Sequence, residues 1–360
     1  MLLRLRDAPV VAVDTESDSL HVYFEKVCLL QFSIPGTDYL VDPLAIDVRP
    51  LRDVFASDNQ EKVFHAAEYD IVCMKRSFGF TFANLFDTMI AARVLGWQRY
   101  GLGPILEERF SLKSNKRMQR YNWATRPLPD MALEYARLDT HFLLSLRDLQ
   151  ISELEDQGRL VEAQRAFQRQ VRIQSPVNQF DPDNFWRIRG SRDLSPQKQA
   201  VLRQLYIFRD GLARKLNLPP FKVISDAYLV HLANTSPSSR RSLAPVKGLS
   251  HRLRTRYADQ LLEAIATGLT SPPPLHPHNS RPRLSDTTLA RYETLRAWRK
   301  GVAEAREVDP DVVLPNLTLM EVARRNPSTV EALAQVEALD DWQRETYGQA
   351  LLQMLKEHTI

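Results

Sequence analysis

PVVAVDTE, residues 9–16, is a valine-rich apolar run that ends in two acids. A run without alternation reads as a central strand of a sheet covered on both faces. Asp14 and Glu16 are two apart, so on a strand they point to the same face. Further along, FHAAEYD (64–70) brings Asp70 to the start of a helix. EYARLDT (134–140) carries Tyr135 and Asp139 one helical turn apart on one face. Taken singly, each acid reads as a solvated strand end, a helix-start acid or a solvated helix face. Taken as an ordered set, Asp14, Glu16, Asp70 and Asp139 predict a carboxylate cage for two divalent metal ions, Mg²⁺ or Mn²⁺. Both ions prefer oxygen ligands, and a pair ~3.5–4 Å apart neutralises the attacking and leaving oxygens of a phosphodiester. Tyr135 reads either as a core tyrosine with a satisfied hydroxyl or as the group that orients the attacking water.

The bulk numbers bound the class. A chain of 360 residues exceeds one ordinary domain. Its 44% hydrophobic and 26% charged residues are those of a globular protein. No apolar run reaches the ~18 residues of a membrane span. The start, MLLRLRDAPVVAVDTE, lacks the apolar stretch and cleavage site of a signal peptide. The two cysteines, Cys28 and Cys73, lie in apolar segments and are expected to be reduced core residues of a cytoplasmic protein. The net charge of +4 is unevenly spread. Residues 181–270 hold 15 basic and 7 acidic residues, whereas residues 284–360 hold 9 and 13. The middle of the chain is therefore the electrostatic candidate for polyanion binding. No Gly-x-x-x-x-Gly-Lys-Ser/Thr run is present, which argues against an ATP-driven helicase.

The first ~145 residues alternate strand and helix patterns and predict a mixed α/β sheet. After PVVAVDTE, strands are expected in HVYFEKVCLLQFSIP and DYLVDP about the Pro35-Gly36 turn, and in EKVFHAA. Helices are expected in RPLRDVFAS, in YDIVCMKRSFG closed by Gly79, and in NLFDTMIAARVLG closed by Gly96. PDMALEYARLDTHFLLSLRDLQISELED reads as one long helix. From residue 151 the strand signals vanish. A helical connector spans 151–190, and Ser195-Pro196 opens a helical module over 191–270. SPPPLHPHNSRPR (271–283) is a proline-rich linker. A second module, 284–360, repeats the pattern of the first in about 75 residues. The α/β domain accordingly takes residues 1–150.

The set Asp14-x-Glu16, Asp70 and Tyr135-x-x-x-Asp139 resembles the DEDD exonucleases of the ribonuclease H-like fold, in their tyrosine subgroup. HAAEYD (65–70), FDTMIAARVLG (86–96) and NKRMQRYNWATRPL (115–128) are similar to motifs of the ribonuclease D family. In the last of these, Lys116, Gln119, Arg120, Trp123, Arg126 and Pro127 fall on the family's pattern. The stretches at 219–250 and 313–339 resemble HRDC domains. The resemblance implies a mixed-sheet α/β exonuclease domain followed by two all-α HRDC domains. It also implies a 3′–5′ exoribonuclease that releases nucleoside 5′-monophosphates from tRNA precursors and other structured RNA 3′ ends. On the family pattern, Asp14, Glu16 and Asp139 hold the metal carrying the nucleophile. Asp14 bridges to the second metal, Asp70 supports it, and Tyr135 orients the water. Substrate contacts are expected from Thr15, His65, Lys116, Gln119, Arg120 and Trp123, the last four on a basic stretch with interleaved aromatics. The cage alone leaves a 3′–5′ DNA exonuclease open, and a noncatalytic RNA-binding adaptor is the rival from another class. The HRDC pair and the 115–128 motif favour RNA, and the intact set of five residues disfavours the adaptor. A monomer with no membrane attachment is expected.

Overall fold

The structure, a computed structural model, describes residues 1–113, 116–174, 179–243, 250–276 and 284–356; the side chains of 116 and 117 lie outside that description. Five strands form one sheet in the order β3-β2-β1-β4-β5. They are β1 (Val10–Ser17), β2 (Val27–Ile34), β3 (Thr37–Val41), β4 (Glu61–Phe64) and β5 (Leu85–Asp87). β2 and β3 pair antiparallel, while β1–β4 and β4–β5 pair parallel, so the sheet is mixed as expected. β1 is central, and Val11, Ala12 and Val13 are all fully buried. Val11 and Val13 join one core with Phe32, Phe55, Phe64 and Ile71. Ala12 joins another with Val63, Phe86, Ala91 and Leu146. Burial on both faces is the physical reason the run shows no alternation.

Three expectations about elements are corrected. HVYFE does not continue into a strand, because β2 begins only at Val27. Its aromatics find partners in the first helical module instead. The Tyr23 hydroxyl donates to Asp210 at 2.7 Å, and Asn217 Oδ1 accepts the Tyr23 and Phe24 N–H groups at 3.1 Å each. NLFDTMIAARVLG is not all helix: Leu85–Asp87 is the edge strand β5, and the helix is Thr88–Leu95. Three residues are too few to show a strand period beside a strong helical one. The long helix breaks at Phe142 into Asp130–His141 and Leu143–Asp156. Phe142 packs against Phe110 at a ring distance of 5.3 Å.

The chain forms two compact units. One comprises Met1–Glu16, Val27–Ser175 and Pro282–Ile360, and the other Ser17–Lys26 and Pro176–Arg281. Within the first unit the second helical module is tied to the sheet domain. Arg306 pairs with Glu162 at 2.5 Å, Arg93 with Asp311 at 2.7 Å, and Arg169 with Asp340 at 2.5 Å. Both modules open with a 21-residue helix, Pro196–Leu216 and Asp286–Arg306. Each follows with a short turn of helix, Pro220–Val223 and Pro310–Val313. At the same depth in each long helix a buried arginine donates to the carbonyl after that turn. Arg209 reaches Ile224 O at 3.0 Å and Arg299 reaches Leu314 O at 2.5 Å. The repeat is thus carried by an internal bond as well as by apolar spacing. Linker residues 277–283 lie outside the described residues. Among the described residues, no helix is long and apolar enough to cross a membrane.

Candidate active site

β1 carries Asp14 and Glu16, and the helix Asp130–His141 carries Asp139. One carboxylate oxygen from each of these three acids lies within 4.8 Å of the other two. Asp70, in the first turn of the helix Glu68–Phe78, stands outside that tight trio. It is tied to β1 by the Thr15 hydroxyl, which donates to Asp70 Oδ1 at 2.5 Å.

The electrostatics show what the group demands. Burial, then repulsion from Asp70, Asp139 and Glu16, pushes Asp14 well above the usual carboxylate range. Burial and the charges of Asp139 and Asp70 push Glu16 up to about 9. Asp70 is raised to about 7 by burial, which outweighs the Thr15 hydrogen bond. Asp139 is raised to about 7 by burial and by Asp70. Acids that crowd one partly buried place repel one another unless a cation joins them. The donors are all oxygens, the set that hard divalent cations take. The residues therefore fit a divalent metal site.

Tyr135 lies one turn before Asp139, and its phenol interacts with that carboxylate. Burial and the three nearby acids, Asp139, Glu16 and Asp14, push the phenol far above its ordinary value. It therefore keeps its proton at neutral pH. The supporting helix is locked to the sheet by its C-terminal turn, on either side of Asp139. The Ser33 hydroxyl donates to Asp38 at 2.7 Å and lies 2.7 Å from the Thr140 hydroxyl, Arg137 reaches Asp38 at 3.1 Å, and His141 Nδ1 lies 2.8 Å from the same Asp38 oxygen.

The expected substrate contacts fall in different places. Thr15 is buried and its hydroxyl is committed to Asp70. His65 follows β4, with Nδ1 2.8 Å from Thr88 Oγ1. Thr88 already donates its one proton to Phe64 O at 3.1 Å, so His65 Nδ1–H donates and Nε2 is left an acceptor. Burial lowers this imidazole to about 4, which keeps it neutral. Gln119 and Arg120 are exposed on the 3₁₀ turn Lys116–Arg120, whereas the Lys116 side chain lies outside the described residues. Trp123 differs from the expectation. It is 1% exposed, packs with Cys28, Leu29, Met118 and Ala136, and lies 6.1 Å from the Tyr135 ring. It offers no face to a base and instead backs Tyr135. Arg126 is also spent internally, on Asp42 at 2.6 Å and on Cys28 O at 2.8 Å. Two residues were missed in the sequence, Asp38 and Asp87. An Asp directly before a helical run is an N-cap signal, so Asp87 was findable. Asp38 carries no local signal.

Residues 1–154 match a family model described as 3′–5′ exonuclease, and residues 198–265 and 288–355 each match the HRDC domain model. The chain is similar to ribonuclease D of Nitrobacter hamburgensis, 28% identical over 353 residues that cover 97% of this chain and 90% of that one. The catalytic core of RRP6 from Trypanosoma brucei superposes with a TM-score of 0.66 at 28% identity, covering 74% of this chain and 76% of that one. The crystal structure of Escherichia coli RNase D, an exoribonuclease involved in structured RNA processing, shares the fold. It has a TM-score of 0.68 at 23% identity and covers 99% and 95% of the two chains. An exonuclease model followed by two HRDC models, with ribonuclease D relatives aligned along nearly the whole length, leaves one conclusion. The chain belongs to the ribonuclease D family of 3′–5′ exonucleases with HRDC domains.

Proposed function

We infer that the protein is a 3′–5′ exoribonuclease of ribonuclease D type that removes nucleoside 5′-monophosphates from the 3′ ends of tRNA precursors and other structured RNAs. The observation that carries this reading is the convergence of Asp14, Glu16 and Asp139 within 4.8 Å, with Tyr135 one helical turn before Asp139. Two divalent cations, Mg²⁺ or Mn²⁺, would supply charge neutralisation on the phosphodiester and a lowered pKa for the attacking water. Asp14, Glu16 and Asp139 would hold one cation, with Asp14 shared with the second and Asp70 supporting it. Tyr135 keeps its proton, so it positions the water by hydrogen bonding rather than abstracting a proton from it. Water adds to phosphorus, the P–O3′ bond breaks, and the proton ends on the new 3′-hydroxyl of the shortened RNA. Gln119 and Arg120 are exposed and suited to phosphate contact. Arg252, Arg254 and Arg256, exposed on the helix His251–Arg256, would give the first HRDC domain a cationic surface of its own. Lys247 of the same basic set lies outside the described residues. The reading extends to a cytoplasmic monomer.

The test is degradation of a 5′-labelled, 3′-tailed tRNA-like RNA with Mg²⁺, Mn²⁺ or EDTA, comparing wild type with Asp14→Asn. Metal-dependent stepwise shortening, lost in the variant, is the expected result. Shortening of matched DNA but not RNA would assign the site to a DNA exonuclease. Tight RNA binding without cleavage of either would leave the adaptor.

A further inference from the structure

We propose that Asp87 is a positioning residue for the reaction: it clamps the turn that launches the Asp70 helix and so sets where Asp70 meets the metal cage. The proposal rests on the cage reading above. Asp87 ends β5 and pairs in register with Phe64 at the end of β4. The chain after Phe64 must turn sharply to start the helix Glu68–Phe78. Ala66 takes a φ of +62°, a region that residues with a side chain rarely adopt. The N-cap position of that helix is Ala67, which has no side-chain acceptor of its own. Asp87 provides acceptors from the next strand. Its Oδ1 takes the Ala66 N–H at 3.1 Å and its Oδ2 takes the Ala67 N–H at 2.8 Å.

The same carboxylate also caps its own helix, with Oδ1 accepting from Met89 N at 2.9 Å and Ile90 N at 3.2 Å. Four backbone donors therefore converge on one side chain that is 0% exposed. The neighbour Thr88 adds to the clamp. It donates to Phe64 O and meets His65, while its own carbonyl accepts from Gln150 Nε2 at 2.8 Å. Asp70 lies three residues beyond Ala67, and its carboxylate accepts the Thr15 hydroxyl proton. Its position is thus set from one side by β1 and from the other by Asp87. Groups that orient a metal's carboxylates govern affinity without touching the ion.

The test is Mn²⁺ binding to the full chain by calorimetry, with RNA cleavage measured in parallel. Asp87→Asn keeps the size of the side chain but turns an NH₂ group toward a backbone N–H. It should weaken Mn²⁺ binding roughly 10–100-fold. The Mn²⁺ needed for half-maximal cleavage should rise in step, while KM for RNA at saturating Mn²⁺ stays put and excess Mn²⁺ restores kcat. Asp87→Ser keeps an N-cap for Thr88–Leu95 but is too short to reach Ala66 and Ala67. It should show the same shift and covers the case in which the Asn variant does not fold. Leu319→Ala, in the separate core of the second helical module, should lower Tm without changing Mn²⁺ affinity. Wild-type Mn²⁺ affinity in both Asp87 variants, or an equal loss in Leu319→Ala, would overturn the proposal. Asp14→Asn separates the two readings. If it too binds Mn²⁺ normally, the cage reading falls; if it alone loses binding, only the role of Asp87 does.

Discussion

At the scale of single residues, the acids of the site work against the fold until a cation arrives. The ordinary values of Glu16, Asp70 and Asp139 lie near 4, and in the folded chain they stand at about 9, 7 and 7. The native state therefore holds protons that the unfolded state has lost. Between about pH 4 and the folded values of about 7 to 9, metal-free stability falls as pH rises. In EDTA, Tm should drop from about pH 5 to about pH 9, and the Tm gained on adding Mg²⁺ should grow over the same range. Asp14→Asn removes one repelling charge, so its metal-free Tm at about pH 8 should exceed that of wild type. A metal-induced gain that stays constant with pH would contradict this account. Tyr135 makes a different prediction, because the role proposed for it is in orienting water and not in holding a cation. Tyr135→Phe should lower kcat by on the order of 10²-fold while leaving calorimetric Mn²⁺ affinity unchanged. A variant with full kcat would return Tyr135 to the status of a core residue, a role its packing on Trp123 already gives it in part.

At the scale of elements, the site depends on how one helix is docked on the sheet. The helix Asp130–His141 brings both Tyr135 and Asp139, and its C-terminal turn is fastened to β3 through Asp38. Burial pushes the Asp38 carboxyl up, but hydrogen bonds from Ser33, His141 and Arg137 more than offset this and leave it below its ordinary value. Asp38→Ala would strand those donors and should cost about 1.5–3 kcal/mol in urea unfolding. It should also reduce cleavage, since the helix that carries two site residues loses an anchor. The sequence reading found this helix by its period and found the i, i+4 pair on it. It ran the helix on through Phe142, because the apolar period continues there. At the break Phe142 packs on Phe110, a contact that spacing within the helix cannot show. β5 was absorbed into the following helix for a related reason, since three residues carry little periodic signal.

At the scale of the whole molecule, the second HRDC domain is part of the same compact unit as the sheet. Gly96 ends the helix Thr88–Leu95 with a φ of +82°. A Cβ there would sit 2.5 Å from the carbonyl oxygen of Glu307, at the end of the long helix Asp286–Arg306. Gly79 is the matching control, with a φ of +68° and nothing within 4 Å of an added Cβ. Gly79→Ala should cost only the left-handed backbone term, about 1–2 kcal/mol. Gly96→Ala should cost more and should speed hydrogen exchange in Asp286–Arg306 while leaving Pro196–Leu216 unchanged. Equal costs for the two substitutions, with no change in exchange, would show that the close approach at Gly96 contributes nothing.

Sequence alone determined the parts of this protein that are written in local spacing. A valine run buried on both faces, two acids on alternate strand positions, and a tyrosine and an aspartate one helical turn apart are all readable because backbone period dictates direction. The helical duplication was readable for the same reason. Tertiary structure decided everything that depends on which surfaces meet. It buried Trp123 behind Tyr135 and spent Arg126 on Asp42, although both stand in a stretch that reads as a nucleic-acid rim. It took Tyr23 and Phe24 out of the sheet and bonded them to Asn217, nearly two hundred residues away. It made Asp87 the common acceptor for two helix starts. Each of these outcomes turns on a partner remote in the chain, and a side chain's spacing to its sequence neighbours carries no information about that partner.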